Sequence, residues 1–138
     1  MFGLSVLDAT AKGVPAAASG IPRNRNMVAA PDLTFNGLAR YEWPLQNGTA
    51  AVLAKFHYQS ETFYDIQNYS NAREDGYVVA DVRAQWTSGD EHWQVAAFIN
   101  NVTGTEYITY TFDFAIFGFN QEAYGKPRWF GGSVRYNW

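Results

Sequence analysis

The stretch DLTFNGLARYEW, residues 32–43, decides the fold. Leu33, Phe35, Gly37, Ala39, Tyr41 and Trp43 occupy alternate positions, and Asp32, Thr34, Asn36, Leu38, Arg40 and Glu42 fill the positions between them. A period of two sends these sets to opposite faces of an extended chain, so the stretch reads as a strand with one apolar and one mostly polar face. It is long beside the five or six residues usual in soluble sheets.

The same pattern recurs on both sides. In AAVLAKFHYQSETFY (residues 50–64) Val52, Ala54, Phe56 and Tyr58 oppose Lys55, His57, Gln59 and Glu61. GYVVADVRAQW sets Val78, Ala80, Val82, Ala84 and Trp86 against Asp81, Arg83 and Gln85, and HWQVAAFINN sets Trp93, Val95, Ala97 and Ile99 against a mixed face. The closing PRWFGGSVRYNW aligns Phe130, Gly132, Val134, Tyr136 and Trp138 opposite Ser133, Arg135 and Asn137. With a partial strand near Phe2 to Ala9, about six strands are expected, and no helical stripe competes with them.

Composition narrows the class. One domain or a piece of one fits in 138 residues. Phe, Tyr and Trp make up 17% of the chain, no more than the charged residues, and such a balance favours strands. There is no cysteine, and His57 and His92 lie too far apart to act as a ligand pair on one turn, so no metal and no cofactor is expected. A net charge of −3 with no basic stripe argues against a nucleic-acid partner. No apolar run is long enough for a transmembrane helix, and the N-terminus lacks the form of a secretory signal, but a membrane β-strand leaves a much weaker hydropathy trace.

The connections alternate in length. Gln46 to Gly48 and Ser88 to Asp90 are tight turns, whereas Lys12 to Ala30, Asp65 to Asp75 and Asn101 to Lys126 are long loops. Short turns at one end of a meander and long loops at the other is the plan of an outer-membrane β-barrel. Tryptophan placement points the same way. Trp43, Trp86, Trp93 and Trp138 all fall at the short-turn end, where an aromatic girdle would sit at the membrane interface, and Phe63, Tyr64, Trp129 and Phe130 fall at the other. The terminal Trp138 then belongs to the wall and not to a frayed tail. The expected fold is therefore all-β: an antiparallel up-and-down meander of about six long strands, forming an open C-terminal segment of a transmembrane barrel.

Three pieces carry a family likeness: NVTGTEY (Asn101 to Tyr107), YGKPRWFGGSVRYNW (Tyr124 to Trp138) and AAPDLTFNGLARYEW. In order and spacing they resemble the C-terminal strands of TonB-dependent outer-membrane receptors, over nearly the whole chain. Val102 and Gly104 stand where that family usually has Leu and Asp. The resemblance implies residence in the outer membrane of a Gram-negative bacterium and TonB-driven uptake of a bulky nutrient such as a siderophore, vitamin or oligosaccharide. It implies as partners the outer-membrane lipid, the rest of the barrel and its plug, and TonB itself through an N-terminal part. Residues 1–138 are then expected to be a fragment whose signal, TonB-binding box and plug lie elsewhere. Phe130, Val134, Tyr136 and Trp138 look like the insertion signal that the barrel-assembly machinery reads.

Arg40, Lys55, His57, Asp81, Arg83 and Arg135 fall on the expected lumen face, either as an ordinary hydrated ion-pair lining or as contacts to a ligand or plug. The aromatic loop Thr109 to Tyr124 either packs between neighbouring hairpins or stacks on a ligand. Asn47, Asn68 and Asn101, although each begins an Asn-x-Ser/Thr triplet, read as turn residues. The sole conceivable catalytic set, His57 with Ser60 or Asp81, has no apolar pocket to frame it, so no enzyme is expected. The alternative from another class is a soluble β-sandwich carbohydrate-binding module, which would need a second sheet to cover the apolar face.

Overall fold

The computed structural model describes residues 1–17, 19–114 and 117–138, and its regular structure there is β-strand with 3-10 turns such as Ser70–Ala72. In chain order the strands are β1 (Phe2–Val6), β2 (Thr10–Pro15), β3 (Pro22–Asn26), β4 (Leu33–Leu45), β5 (Gly48–Gln59) and β6 (Thr62–Phe63). They continue with β7 (Arg73–Glu74), β8 (Tyr77–Ser88), β9 (Trp93–Asn100), β10 (Ile108–Phe114), β11 (Phe119–Tyr124) and β12 (Trp129–Tyr136). Six of them form one antiparallel sheet in the order β1-β4-β5-β8-β9-β12. Strands β1 and β12 are its edges, so the meander is open.

The six expected strands are these six. The three long connections are not plain loops, however, because each holds or borders a two-stranded ribbon: β2–β3, β6–β7 and β10–β11. Their strands are short, and register shifts after Ala11 and Ile108 interrupt the alternation that marks a strand in a sequence. Two boundaries also move. The first strand stops at Val6, short of Ala9, and the third ends at Gln59, with Thr62–Phe63 turning off into its own ribbon.

Register brings the alternating patterns together. Residues directly opposite on neighbouring strands share a face. One row runs Phe2, Gly37, Phe56, Ala80, and another runs Trp43, Ala50, Trp86, Val95, Val134. Every residue in both is apolar or glycine, so the apolar halves of all six strands merge into one continuous face. Gly37 is the notch that lets large rings lie together there. A Cβ at that position would stand 2.5 Å from the Phe56 ring and 2.8 Å from Phe2, and Phe35 meets Phe56 edge-on at 5.1 Å.

Among the described residues no second large sheet covers that face. The buried apolar residues are Ala51, Ala72 and Ala96, and no large side chain is fully buried among the described residues. A folded 15.5 kDa monomer exposes about 7,200 Å², and this chain exposes 9574 Å². Phe130 is 81% exposed and Val134 67%. A soluble sandwich would lay a second sheet over such a surface, but the described residues contain only the three small ribbons beyond the large sheet.

At the short-turn end, Leu45 pairs with Gly48, so the turn is made by Gln46 and Asn47, with Gly48 as the first residue of β5. Gly48 has a φ of 146°, and a Cβ there would lie 2.0 Å from the Thr87 carbonyl oxygen of the next strand. Gly48→Ala is therefore expected to destabilise the sheet by about 1–3 kcal/mol, seen as a lower urea midpoint in micelles. Gly89→Ala, whose added Cβ would meet its neighbours at an ordinary 3.8 Å, should leave the midpoint unchanged.

Candidate functional site

The second face of the sheet carries all six polar residues singled out from the sequence, and the pairing sorts them. Lys55 and Asp81 are cross-strand partners joined by a 3.0 Å ion pair. Arg40 is paired with Glu42 two residues along the same strand face. Arg40, Glu42 and Lys55 are half exposed, and Asp81 is 21% exposed; the exposed Arg40–Glu42 pair contributes no more than about 1 kcal/mol. His57 lies between Asn36 and Val79, while Arg83 lies between Leu53 and Phe98 and Arg135 opposite Gln94. Among the described residues no carboxylate lies within ion-pair distance of Arg83 or Arg135. The conceivable catalytic set is not assembled: Ser60 Oγ accepts the Leu33 N–H at 3.1 Å, and Asp81 is held by Lys55 and by the Asn101 N–H at 2.6 Å.

Several hollows open over this polar face, among them two neighbours that share Trp129. One, of about 270 Å³, is lined by Leu53, Lys55, Asp81, Arg83, Phe98 and Trp129. Its neighbour, of about 500 Å³, is bounded by Asn101, Tyr107, Tyr124, Lys126 and again Trp129. Phe98 is not among the residues the alternation singles out. Trp129 lies at the long-loop end, where β12 begins, and pairs with Asn100 on the polar face, because its neighbour Phe130 takes the apolar side opposite Ile99. Parity was the available signal: the apolar positions of β12 are even-numbered, and 129 is odd.

Trp43, Trp86, Trp93 and Trp138 do lie on the apolar face at the short-turn end. Trp43 and Trp86 flank Ala50, Tyr41 stacks with Trp43 at 5.6 Å, and Tyr136 contacts both Trp93 at 4.8 Å and Trp138 at 6.3 Å. Phe130, Val134 and Tyr136 continue the same face along β12. The chain end is tied down past the last strand residue. The Asn137 N–H donates to the His92 carbonyl at 2.8 Å, and the His92 ring meets the Asn137 carbonyl oxygen at 2.6 Å. In the turn beside it, the Ser88 hydroxyl and the His92 N–H hold the Asp90 carboxyl below the usual carboxylate range.

At the opposite end, Asn101 organises NVTGTEY. It is 3% exposed, with a φ of 50°. Its amide donates to the Thr105 carbonyl (2.8 Å) and the Lys126 carbonyl (3.1 Å), and its Oδ1 accepts from the Thr103 hydroxyl (2.9 Å) and the Thr105 N–H (3.0 Å). Tyr107 then stacks on Tyr77 at 4.5 Å and lies over Gly125, where a Cβ would come within 2.0 Å of the ring. The motif thus locks β8, β9 and the approach to β12 together. Asn68 plays a related part: with a φ of 53° it accepts the Asn26 N–H at 2.7 Å, tying the first ribbon to the β5–β8 connection. Tyr64 bridges that connection to the last ribbon by donating to the Ile108 carbonyl at 2.8 Å. Burial first, and Glu74 second, raise its phenol pKa.

No group of His, Asp or Glu that could hold a metal ion is gathered among the described residues. Compared with protein-family models, curated proteins and solved structures, the chain matches none of them.

Asn101→Ala is expected to cost about 2–4 kcal/mol, because it removes four hydrogen bonds made by a side chain that is only 3% exposed. The check is urea unfolding in micelles, with Thr103→Ala, which removes one exposed hydroxyl shared between Asn101 and the Val78 carbonyl, costing clearly less.

Proposed function

We propose that this chain is part of the wall of an outer-membrane β-barrel, and that the barrel is a TonB-dependent receptor for uptake of a bulky nutrient such as a siderophore, vitamin or oligosaccharide. The observation that carries the reading is the continuous, uncovered apolar face spanning all six strands, backed by a polar face with ion pairs. Strands β4, β5 and β8, at 13, 12 and 12 residues, exceed the roughly 9–11 residues that cross a bilayer when tilted. The tryptophans at the short-turn end suit an interfacial girdle, and the ribbons suit the longer loops on the outside of such barrels. The open edges at β1 and β12 call for further strands, since hydrocarbon does not tolerate unpaired backbone groups.

The receptor class rests on the likeness of NVTGTEY and the closing YGKPRWFGGSVRYNW. On this reading the partners are outer-membrane lipid, the remaining barrel and plug, TonB acting through the plug side, and the barrel-assembly machinery, for which Phe130, Val134, Tyr136 and Trp138 form the signal.

Introducing Arg at Val82 or Ala97 is expected to cost ~2–4 kcal/mol of folding free energy in lipid vesicles, while Gln85→Ala on the other face stays within ~1 kcal/mol. Equal costs on the two faces would sink the membrane reading. Replacing Tyr136 and Trp138 by Asp should lower the amount of receptor reaching the outer membrane, measured by fractionation and immunoblot. The receptor class is tested separately in the coding DNA: an in-frame extension upstream of Met1 specifying a plug and a TonB-binding box is expected, and an immediate in-frame stop would overturn it.

A further inference from the structure

We propose that the polar face carries a shallow binding site for a small acid bearing a ring, centred on Arg83 and floored by Phe98 and Trp129. The proposal rests on reading that face as the wall of a passage, because only then does solute reach it. Two neighbouring rows of the sheet build the site. In one, Arg83 sits between Leu53 and Phe98, with Gly131 beyond; in the other, Lys55 faces Asp81, and Trp129 faces Asn100.

Gly131 gives the floor its shape. A Cβ there would come within 2.7 Å of Phe98 Cζ, so the phenyl ring lies down across the glycine where it would otherwise stand off the sheet. Trp129 meets that ring edge-on, with centroids 5.0 Å apart and planes at 81°, and is 44% exposed. The two rings make an apolar corner on one side of Arg83, with Leu53 on its other side, and a flat ring can stack in such a corner.

Charge decides what that ring carries. The cations Arg40 and Lys55 are each engaged by a carboxylate of this chain, and the Asp81 charge is shared between Lys55 and the Asn101 N–H. Arg83 lines the hollow without an acid partner among the described residues. A guanidinium presents two parallel N–H donors that match a carboxylate. Beside an apolar corner such a pair is less screened than one in open water. The hollow, at about 270 Å³, falls just under the ~300–1,000 Å³ of most small-molecule clefts, which leaves room for one ring.

The experiment uses the full chain in zwitterionic micelles and measures binding of benzoate and of D-glucuronate by titration calorimetry, with benzyl alcohol and D-glucose as their neutral counterparts. One or both acids should bind more tightly than the matching neutral compound, and which acid does so distinguishes an aromatic ring from a sugar ring. Arg83→Gln should weaken the acid about tenfold and leave the neutral compound unchanged, whereas Trp129→Ala should weaken both. Asp81→Asn keeps an acceptor for the Asn101 N–H but frees Lys55, so it should tighten acid binding, a gain that a misfolded variant does not produce. Equal affinity for acid and neutral compound, an Arg83→Gln variant with the acid preference intact, or an Asp81→Asn variant with unchanged or weaker acid binding overturns the proposal. So does binding of an acidic peptide when neither acid binds. Quenching of Trp43, Trp86, Trp93 and Trp138 by brominated detergent in the same samples reports the apolar face separately, so the site and the membrane reading can fail independently.

Discussion

The structure depends on one constraint: directly paired residues on neighbouring strands must lie on the same face. Because the side-chain period is two, a slip of one residue between any two strands would send an apolar set across to the polar side. The pairing of Gly37 with Phe56, Val82 with Ile99 and Tyr136 with Trp93 shows that no such slip occurs from β4 to β12. What results is a single layer with two chemically distinct faces. A layer of this kind has no core of its own. Its stability must come from hydrogen-bonded ladders and from whatever covers the apolar face, which on the proposed reading is lipid.

The two ends of the sheet solve different problems. At the short-turn end the chain reverses in few residues, and strain is confined to positions such as Gly48 and Glu91, whose φ values are 146° and 60°. At the other end the chain makes long excursions, and these are kept in place by polar groups together with ring contacts such as Tyr107 on Tyr77. Asn101, Asn68, Tyr64 and Glu74 each bond to backbone groups far away in sequence. An end built in this way holds its ribbons without an apolar core, which suits a surface in contact with water.

Asp81 links the organisation of the sheet to the polar face. It pairs with Lys55 on one side and receives the Asn101 N–H on the other, so the same carboxylate anchors the loop lock and cancels a cation. Arg83, two residues on, has no comparable partner among the described residues. The difference between these near neighbours gives the polar face its local character.

By itself the sequence determined the strand class, the six strands of the large sheet and, along the alternating stretches, the face on which each side chain lies, because alternation is a local property fixed by backbone geometry. It also located the short turns and the terminal aromatic positions. Only the tertiary structure decided which cations are neutralised, that Trp129 joins Phe98 on the polar face, that the long connections fold into ribbons, and that Asn101 gathers four side-chain bonds. Those outcomes follow from register and from contacts between residues distant along the chain, such as Asn101 with Lys126 or Lys55 with Asp81, and alternation carries no information about either.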